Sequence, residues 1–161
     1  MKRVLIISLL SSSLLYGDNA NIIMDPVFIK YDRFFLNVEK KYQVPATLTK
    51  AIALTESSFK EKANRKNTNK TSDTGLMQIN TIWEKTFNLT KGNLLDPETN
   101  IDTAGRILHG LIIRHGYSWE TIGRYHSNTP KYKKAWLKKV KKNIALIIKH
   151  DKRLKYKVLV K

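Results

Sequence analysis

Apolar residues recur one helical turn apart along most of the chain, which is the pattern of helices that bury one face. The predicted helices cover residues 26–41, 45–59, 81–87, 100–115, a short segment capped by Ser118, and 130 onwards. Proline stands at or beside the start of three of them, at Pro26, Pro45 and Pro130. Its fixed φ and missing N–H suit that position. The sequence therefore predicts a mainly α fold.

Two stretches depart from the helical pattern. Residues 60–74 are polar without apolar periodicity. They predict a loop of about 15 residues, a length that is often functional in a small domain. Residues 155–161 alternate lysine with apolar residues, and a short strand and a frayed tail both remain open there. No other strand is predicted.

A glutamate stands near the end of the second predicted helix, beside the apolar run 51–54. Glu56 follows Ile52 by one helical turn, so it should lie at the edge of the buried face. Burial disfavours the charged form of a carboxyl group. A carboxylic acid that stays protonated near neutral pH can donate its proton to a leaving oxygen. Glu56 is therefore the candidate catalytic acid, and an ordinary solvated helix residue is the alternative.

The segment Gly-Leu-Met-Gln-Ile-Asn at 75–80 begins 19 residues after Glu56 and offers what such an acid needs beside it. Gly75 permits close backbone approach, and Met77 supplies a soft apolar contact. Gln78 and Asn80 supply amide donors and acceptors. We expect the polar loop before this segment to bring it back to the end of the Glu56 helix.

The first 17 residues have the composition of an export signal. Lys2 and Arg3 precede an apolar run, residues 4–15, which is short for a bilayer span. We predict cleavage after Gly17 and an exported, periplasmic protein without stable membrane insertion; a membrane anchor formed by the same residues is the alternative. The chain has no cysteine, which excludes a disulfide, a thiolate nucleophile and a cysteine-based zinc site. No metal and no cofactor are predicted.

Positive charge dominates the chain. Its formal charge is +17, and loss of Lys2 and Arg3 with the signal takes it to +15. Residues 131–161 hold 13 Lys and Arg against one acid, Asp151, a net of +12. The last helix should bury a stripe made of Tyr132, Trp136, Val140, Ile144 and Ile147. Its one-signed polar face favours an anionic wall polymer, lipid headgroups or an acidic protein, whereas a solvated face is the alternative. Export argues against nucleic acid.

Three blocks in this order resemble the soluble lytic transglycosylase (SLT) domain family, most closely its small exported members that accompany secretion and conjugation machines. The blocks are Glu56-Ser57, the segment 75–80, and Ile-Gly-Arg-Tyr-His-Ser at 122–127, and the resemblance runs from about Tyr42 to Pro130. Members often have Tyr-Asn-Ala in the third block, where this chain has Tyr125-His126-Ser127. We interpret this departure as the mark of a subgroup, and the role of His126 stays open.

The resemblance implies a lysozyme-like (goose-type-like) single domain. It places the catalytic part at 18–130 after a signal at 1–17, with the basic segment 131–161 packed on the same domain. Such enzymes act on peptidoglycan and cleave the β-1,4 bond between N-acetylmuramic acid and N-acetylglucosamine without water. The sugar's own 6-hydroxyl closes on its anomeric carbon and leaves a 1,6-anhydro end. Glu56 matches the catalytic acid, and the matched substrate-binding residues are Ser57, Gly75, Leu76, Met77, Gln78, Asn80 and Tyr125.

A single acid is sufficient for this chemistry because the substrate supplies the nucleophile. Met77 and Tyr125 would help to exclude water. Two alternatives remain open. Asp73 could act as a second carboxylate, which would permit plain hydrolysis as in goose-type lysozymes. A non-catalytic scaffold would keep the shape and use the basic helix for attachment. The expected partners are peptidoglycan strands and components of a secretion or conjugation apparatus, bound by a monomer.

Overall fold

The computed structural model describes residues 29–150, which form helices and a three-stranded antiparallel sheet. In chain order the elements are α1 (Asp32–Tyr42), α2 (Ala46–Ser57), β1 (Asn64–Lys66), β2 (Ser72–Thr74), β3 (Ile79–Asn80), α3 (Ile82–Phe87), α4 (Lys91–Leu94), α5 (Pro97–His115), α6 (Trp119–Gly123) and α7 (Pro130–His150). Within residues 29–150, none of the helices combines the length and the apolarity that crossing a bilayer requires. The predicted signal at 1–17 and the segment 155–161 lie outside the described residues.

α2 is the central helix of the fold. Every residue from Ala46 to Ala53 is buried, including Lys50, which pairs with Asp32 of α1. α7 packs along α2, and α1 and α5 also contact it. The carboxylate of Glu39 accepts the backbone N–H of Ala46 at 3.1 Å and so satisfies a donor at the start of α2. A helix buried on all sides gives Glu56, near its end, a rigid support.

α1 and α5 cross closely at Gly105. A Cβ atom on this glycine would lie 2.6 Å from Cγ1 of Val38 and 2.8 Å from Cδ2 of Tyr42, too close for any larger residue without repacking. α5 also contacts β3 and α6. It therefore connects the sheet and the α6 region to the core formed by α1 and α2. The sheet and the α6 region meet at the end of α2.

The sheet corrects the prediction for residues 60–74. β1 and β2 form inside the stretch that predicted a loop, and β3 lies in the segment 75–80. Asn64 pairs with Thr74, and Asp73 pairs with Asn80. The strands are two or three residues long, and β1 is exposed throughout. Such short strands carry no alternation of buried and exposed positions, which is why the sequence pattern did not reveal them.

Three further predictions differ from the structure at particular residues. The first predicted helix is interrupted by a turn at residues 30 and 31, and α1 begins at Asp32. α5 begins at Pro97 rather than at 100, because the side chain of Asp96 accepts the N–H of Thr99 at 2.8 Å and caps the helix. Tyr132 is 59% exposed, and Lys133 occupies a buried position of α7 instead.

Candidate active site

A cleft of about 520 Å³ opens where the end of α2, the sheet and the segment after α6 meet. Glu56 lines it from α2, and Gln78 and Asn80 line it from the segment 75–80. Tyr125 and His126 line it from the segment that follows α6. The walls of the cleft therefore contain residues from all three sequence blocks, and Glu56 is the residue from the first block.

Glu56 is nearly buried but reaches the cleft wall. Its side chain is 8% exposed. The indole Nε1–H of Trp136 in α7 donates to Glu56 Oε1 at 2.8 Å. Nδ1 of His126 lies 3.4 Å from the same oxygen, within ion-pair range when the imidazole is protonated. Trp136 of α7 and His126 of the third block therefore both approach the same carboxyl oxygen.

Three aromatic rings hold this arrangement together. The imidazole of His126 lies parallel to the indole of Trp136, with 3° between planes and 5.3 Å between centroids. The ring of Tyr125 also stacks on Trp136, at 24° and 6.2 Å. Trp136 is 4% exposed. Because its ring plane is fixed by both neighbours, its N–H has little freedom to turn away from Glu56.

The segment 75–80 is fastened to its surroundings through its backbone. The hydroxyl of Ser57 donates to the carbonyl of Leu76 at 2.7 Å, which ties the segment to the end of α2. The hydroxyl of Tyr125 donates to the carbonyl of Met77 at 2.8 Å. The N–H of Met77 donates to Oδ1 of Asn100 at 2.7 Å. The first and third blocks thus hold the second in place.

Gly75 and Gln78 make the tight turn that this fastening requires. Gly75 has φ of +80°, and a Cβ atom there would lie 2.3 Å from Nδ2 of Asn100 and 2.5 Å from the carbonyl oxygen of Leu94. Gln78 has φ of 49°. Its side-chain amide donates to the carbonyl of Gly75 at 2.9 Å, which closes the turn on itself. Gln78 also lines the cleft.

A second carboxylate, Asp73, also lines the cleft. Arg65 donates to its Oδ2 from Nη2 at 2.7 Å and from Nε at 3.2 Å. Asn80 donates to its Oδ1 at 2.7 Å. Both oxygens of Asp73 therefore have partners within the sheet, and the charged form is stabilised by a guanidinium and an amide.

Burial raises the pKa of the Tyr125 hydroxyl well above its usual range, and the negative charges of Glu56 and Asp73 raise it further. Its hydroxyl therefore stays protonated near neutral pH, where it donates to the carbonyl of Met77.

The structure divides the predicted site residues into two groups. Glu56, Gln78, Asn80 and Tyr125 line the cleft. Ser57, Gly75, Leu76 and Met77 are buried and do not belong to its lining, and their contact with a substrate stays a prediction. Within residues 29–150 no group of three histidine, aspartate or glutamate side chains is arranged to hold a metal ion.

Sequence reasoning missed two groups that position the site. Trp136 was placed in a core stripe, although its N–H reaches Glu56 across 80 residues. Asn100 is 1% exposed and is not among the predicted site residues. A polar residue on a helix face that is otherwise apolar was the signal available for Asn100. For Trp136 a helical stripe gives no such signal.

A model of the Transglycosylase SLT domain matches residues 33–148. The chain belongs to the SLT domain family. The mainly α, lysozyme-like fold predicted from the sequence is thereby confirmed, and so is the family membership. The match includes most of α7, so the helix that carries Trp136 is part of the family domain.

Named relatives support the assignment to the SLT family. Protein IpgF of Shigella flexneri is 35% identical over 104 residues, which cover 62% of this chain and 68% of the relative. Invasion protein IagB of Salmonella typhimurium strain SL1344 is 34% identical over 117 residues, covering 68% of this chain and 73% of the relative. A peptidoglycan-binding-like protein of Escherichia coli O157:H7 is 33% identical over 97 residues, covering 53% and 58%.

Proposed function

We propose that this SLT protein is a peptidoglycan lytic transglycosylase in which Glu56 acts first as the acid and then as the base. Family membership supports lytic transglycosylase activity in general. The observation that carries the specific proposal is the placement of Glu56. Its carboxyl group is 8% exposed, faces a cleft lined by amide side chains, and is oriented by the indole N–H of Trp136.

The proposed reaction needs no second carboxylate and no water. Glu56 donates its proton to the leaving oxygen of N-acetylglucosamine as the bond from that oxygen to the anomeric carbon of N-acetylmuramic acid breaks. The 6-hydroxyl of N-acetylmuramic acid then bonds to the same anomeric carbon, and its proton passes to Glu56. The glutamate is neutral again at the end of the cycle, and the product carries a 1,6-anhydro ring.

Excluding water decides between ring closure and hydrolysis. Around Glu56 the stack of Tyr125, Trp136 and His126 occupies the space next to the carboxyl group. The fully buried side chains of Leu76 and Met77 fill the space behind the segment 75–80. This packing keeps water from the buried side of the acid, and bound sugar would have to displace water from the cleft itself.

Hydrolysis is the second candidate, because Asp73 lines the same cleft as Glu56. A lysozyme would need that carboxylate to activate a water molecule. In this chain both oxygens of Asp73 are held by Arg65 and Asn80. Asp73 would have to give up one of these hydrogen bonds to bind and activate a water molecule, which favours the transglycosylase.

We further propose that the protein works in the periplasm as a monomer and opens local gaps in the wall for a secretion or conjugation apparatus. The signal-like segment at 1–17 supports export. The name of invasion protein IagB supports a link to a host-directed apparatus. α7 carries eight lysines and no acidic residue, and this charge supports attachment to the anionic wall.

Digestion of purified sacculi, with mass spectrometry of the soluble fragments, tests the reaction. Fragments that end in anhydro-muramic acid, lighter than reducing fragments by one water, are expected from the wild type. Glu56→Gln keeps the shape of the side chain but has no proton to give, and should lose about 10²- to 10⁴-fold in rate. Glu98→Gln, an exposed glutamate of α5, is the matched control.

Each outcome of that digestion separates the candidates. Reducing ends would show hydrolysis and bring Asp73 into the mechanism. The absence of soluble fragments at every pH would leave the non-catalytic scaffold. Full activity in Glu56→Gln would reject Glu56 as the acid, whatever the product.

A further inference from the structure

The imidazole of His126 stands between solvent and Glu56. Its side chain is 26% exposed, compared with 8% for Glu56. Parallel stacking on Trp136 fixes the plane of the ring, and Nδ1 lies 3.4 Å from Oε1 of Glu56. The main chain also holds it, since the N–H of His126 donates to the carbonyl of Gly123 at 3.2 Å. The position of this ring relative to the carboxyl group is therefore built into the fold.

Both neighbours of the carboxyl group approach the same oxygen. Nε1–H of Trp136 donates to Oε1, and Nδ1 of His126 faces Oε1 as well. An oxygen that accepts N–H donors cannot also present its own proton to them, so in the neutral acid the proton belongs on Oε2. We propose that His126 is a positioning residue for Glu56, which directs the transferable proton to Oε2 and stabilises the carboxylate after that proton has left. This inference rests on the proposed function of Glu56.

The contact has a different use in each half of the cycle. While Glu56 is neutral, an N–H at Nδ1 keeps Oε1 as the acceptor. After Glu56 has given up its proton, the carboxylate is an anion in a largely buried place, and a second N–H donor lowers the cost of that charge. The distance of 3.4 Å is longer than a good hydrogen bond. Catalytic contacts of this kind shorten when substrate is bound.

Protonation of His126 gives the contact a pH dependence of defined sign. An imidazolium next to Glu56 favours the carboxylate over the neutral acid. Cleavage starts from the neutral acid, so the rate should fall as the pH rises and Glu56 loses its proton, and removing the charge at His126 should move this fall to higher pH. The other charged or titratable groups that share the cleft, on the sheet, on α5 and on the third block, are Arg65, Asp73, Arg114, His115, Arg124 and Tyr125. A variant of His126 itself is therefore needed to assign the effect.

Nitrogen NMR of the imidazole rings in the full chain tests the pairing without substrate. The chain has four histidines, and the ring signals of His126 are identified as those missing from the spectrum of His126→Asn. Above the titration range of an ordinary imidazole, we expect His126 to carry its proton on Nδ1, facing Glu56. A neutral ring with its proton on Nε2 would overturn the proposal, because Nδ1 would then have no hydrogen to offer.

Two substitutions distinguish the effect of the N–H donor from the effect of ring packing. His126→Phe keeps an aromatic ring against Trp136 but removes the donor, and should lower the rate of muropeptide release about 10- to 100-fold, the loss expected for one hydrogen bond to a charged group. His126→Asn keeps an N–H donor without a titratable charge. It should retain most of the rate, and the fall in rate with rising pH should move to higher pH than in the wild type. Binding of the variants to sacculi and their unfolding midpoints should stay close to the wild type.

A His126→Phe protein that is as active as the wild type would overturn the proposal. So would equal losses in both variants with an unchanged pH profile, since that result would mean that only ring packing matters. If the wild type itself cleaves nothing, the proposed function fails, and the tautomer of His126 still decides whether it is paired with Glu56.

Discussion

Replacing Asn100 by alanine should lower the free energy of unfolding substantially, because its side-chain amide is buried and fully hydrogen-bonded. The side chain is 1% exposed. Its Oδ1 accepts the N–H of Met77 at 2.7 Å, and its Nδ2 donates to the carbonyls of Thr74 and Leu94 at 2.9 and 2.8 Å. One side chain thus joins the start of α5, the end of α4 and the segment 75–80. Asn100→Ala leaves three buried backbone groups without their partner.

The size of the effect follows from these three bonds. A net hydrogen bond contributes about 1 kcal/mol, and a buried donor or acceptor left unpaired costs about 1–3 kcal/mol. Partial relaxation and entry of water reduce the sum, so we expect a loss of about 3–5 kcal/mol in the free energy of unfolding. Domains of this size have about 5–15 kcal/mol in total. The variant should therefore fold, but with a much reduced margin.

Urea unfolding followed by circular dichroism measures this loss directly. Asn93→Ala is the matched control, because Asn93 is exposed and accepts the N–H of Thr90 at 2.8 Å in the capping box of α4. Water can replace that bond, and its removal should cost no more than about 1 kcal/mol. If Asn100→Ala costs no more than Asn93→Ala, the segment 75–80 is not held by this amide and our account of the site's rigidity is wrong.

Three other perturbations give expected outcomes. Trp136→Phe keeps an aromatic ring but removes the N–H donor to Glu56, so wall cleavage should fall at least about tenfold, whereas Trp119→Phe should leave cleavage unchanged. Burial raises the pKa of Tyr117 to about 12. Because an unfolded tyrosine ionises near pH 10, stability should fall as the pH rises from about 10 towards 12, and urea unfolding of Tyr117→Phe should show a smaller fall, with exposed Tyr132→Phe unchanged. Reversing the charge of Lys134 and Lys138, both exposed on α7, should weaken binding to sacculi in a co-sedimentation assay and reduce its salt dependence, whereas Lys40→Glu on α1 should not.

The sequence predicted the parts of this fold that bury a continuous face. α2, α5 and α7 each repeat apolar residues over several turns, and their existence and order were clear from that spacing. The sheet was not predictable in the same way. β1 is exposed, and β2 is joined to its two neighbouring strands by backbone pairing and by the contacts of Asp73 with Arg65 and Asn80. Such contacts leave no periodic trace in the sequence.

The position of a site residue could be predicted where that residue has a single structural role. Glu56 sits at the edge of a buried helical face, and that edge position could be worked out from the spacing to Ile52. Trp136 has two roles, since it fills the α2–α7 interface and also directs its N–H at Glu56. Its spacing along α7 predicts only the first role. His126 likewise shows its relation to Glu56 only after the chain has folded.

α7 cannot be treated as a detachable basic arm, and this bears on the choice between enzyme and scaffold. The helix packs along α2. Its Trp136 donates an N–H to Glu56, and its Asn143 donates to the hydroxyl of Thr55, the residue before Glu56, at 2.9 Å. Lys133 is buried, whereas the other lysines of α7, among them Lys134 and Lys138, are exposed. Deleting residues 131–161 would therefore remove Trp136, the hydrogen-bond partner of Glu56, together with the positive charge. Loss of activity in such a deletion would be uninformative, whereas charge reversal on the exposed face changes attachment and leaves the Glu56 contacts in place.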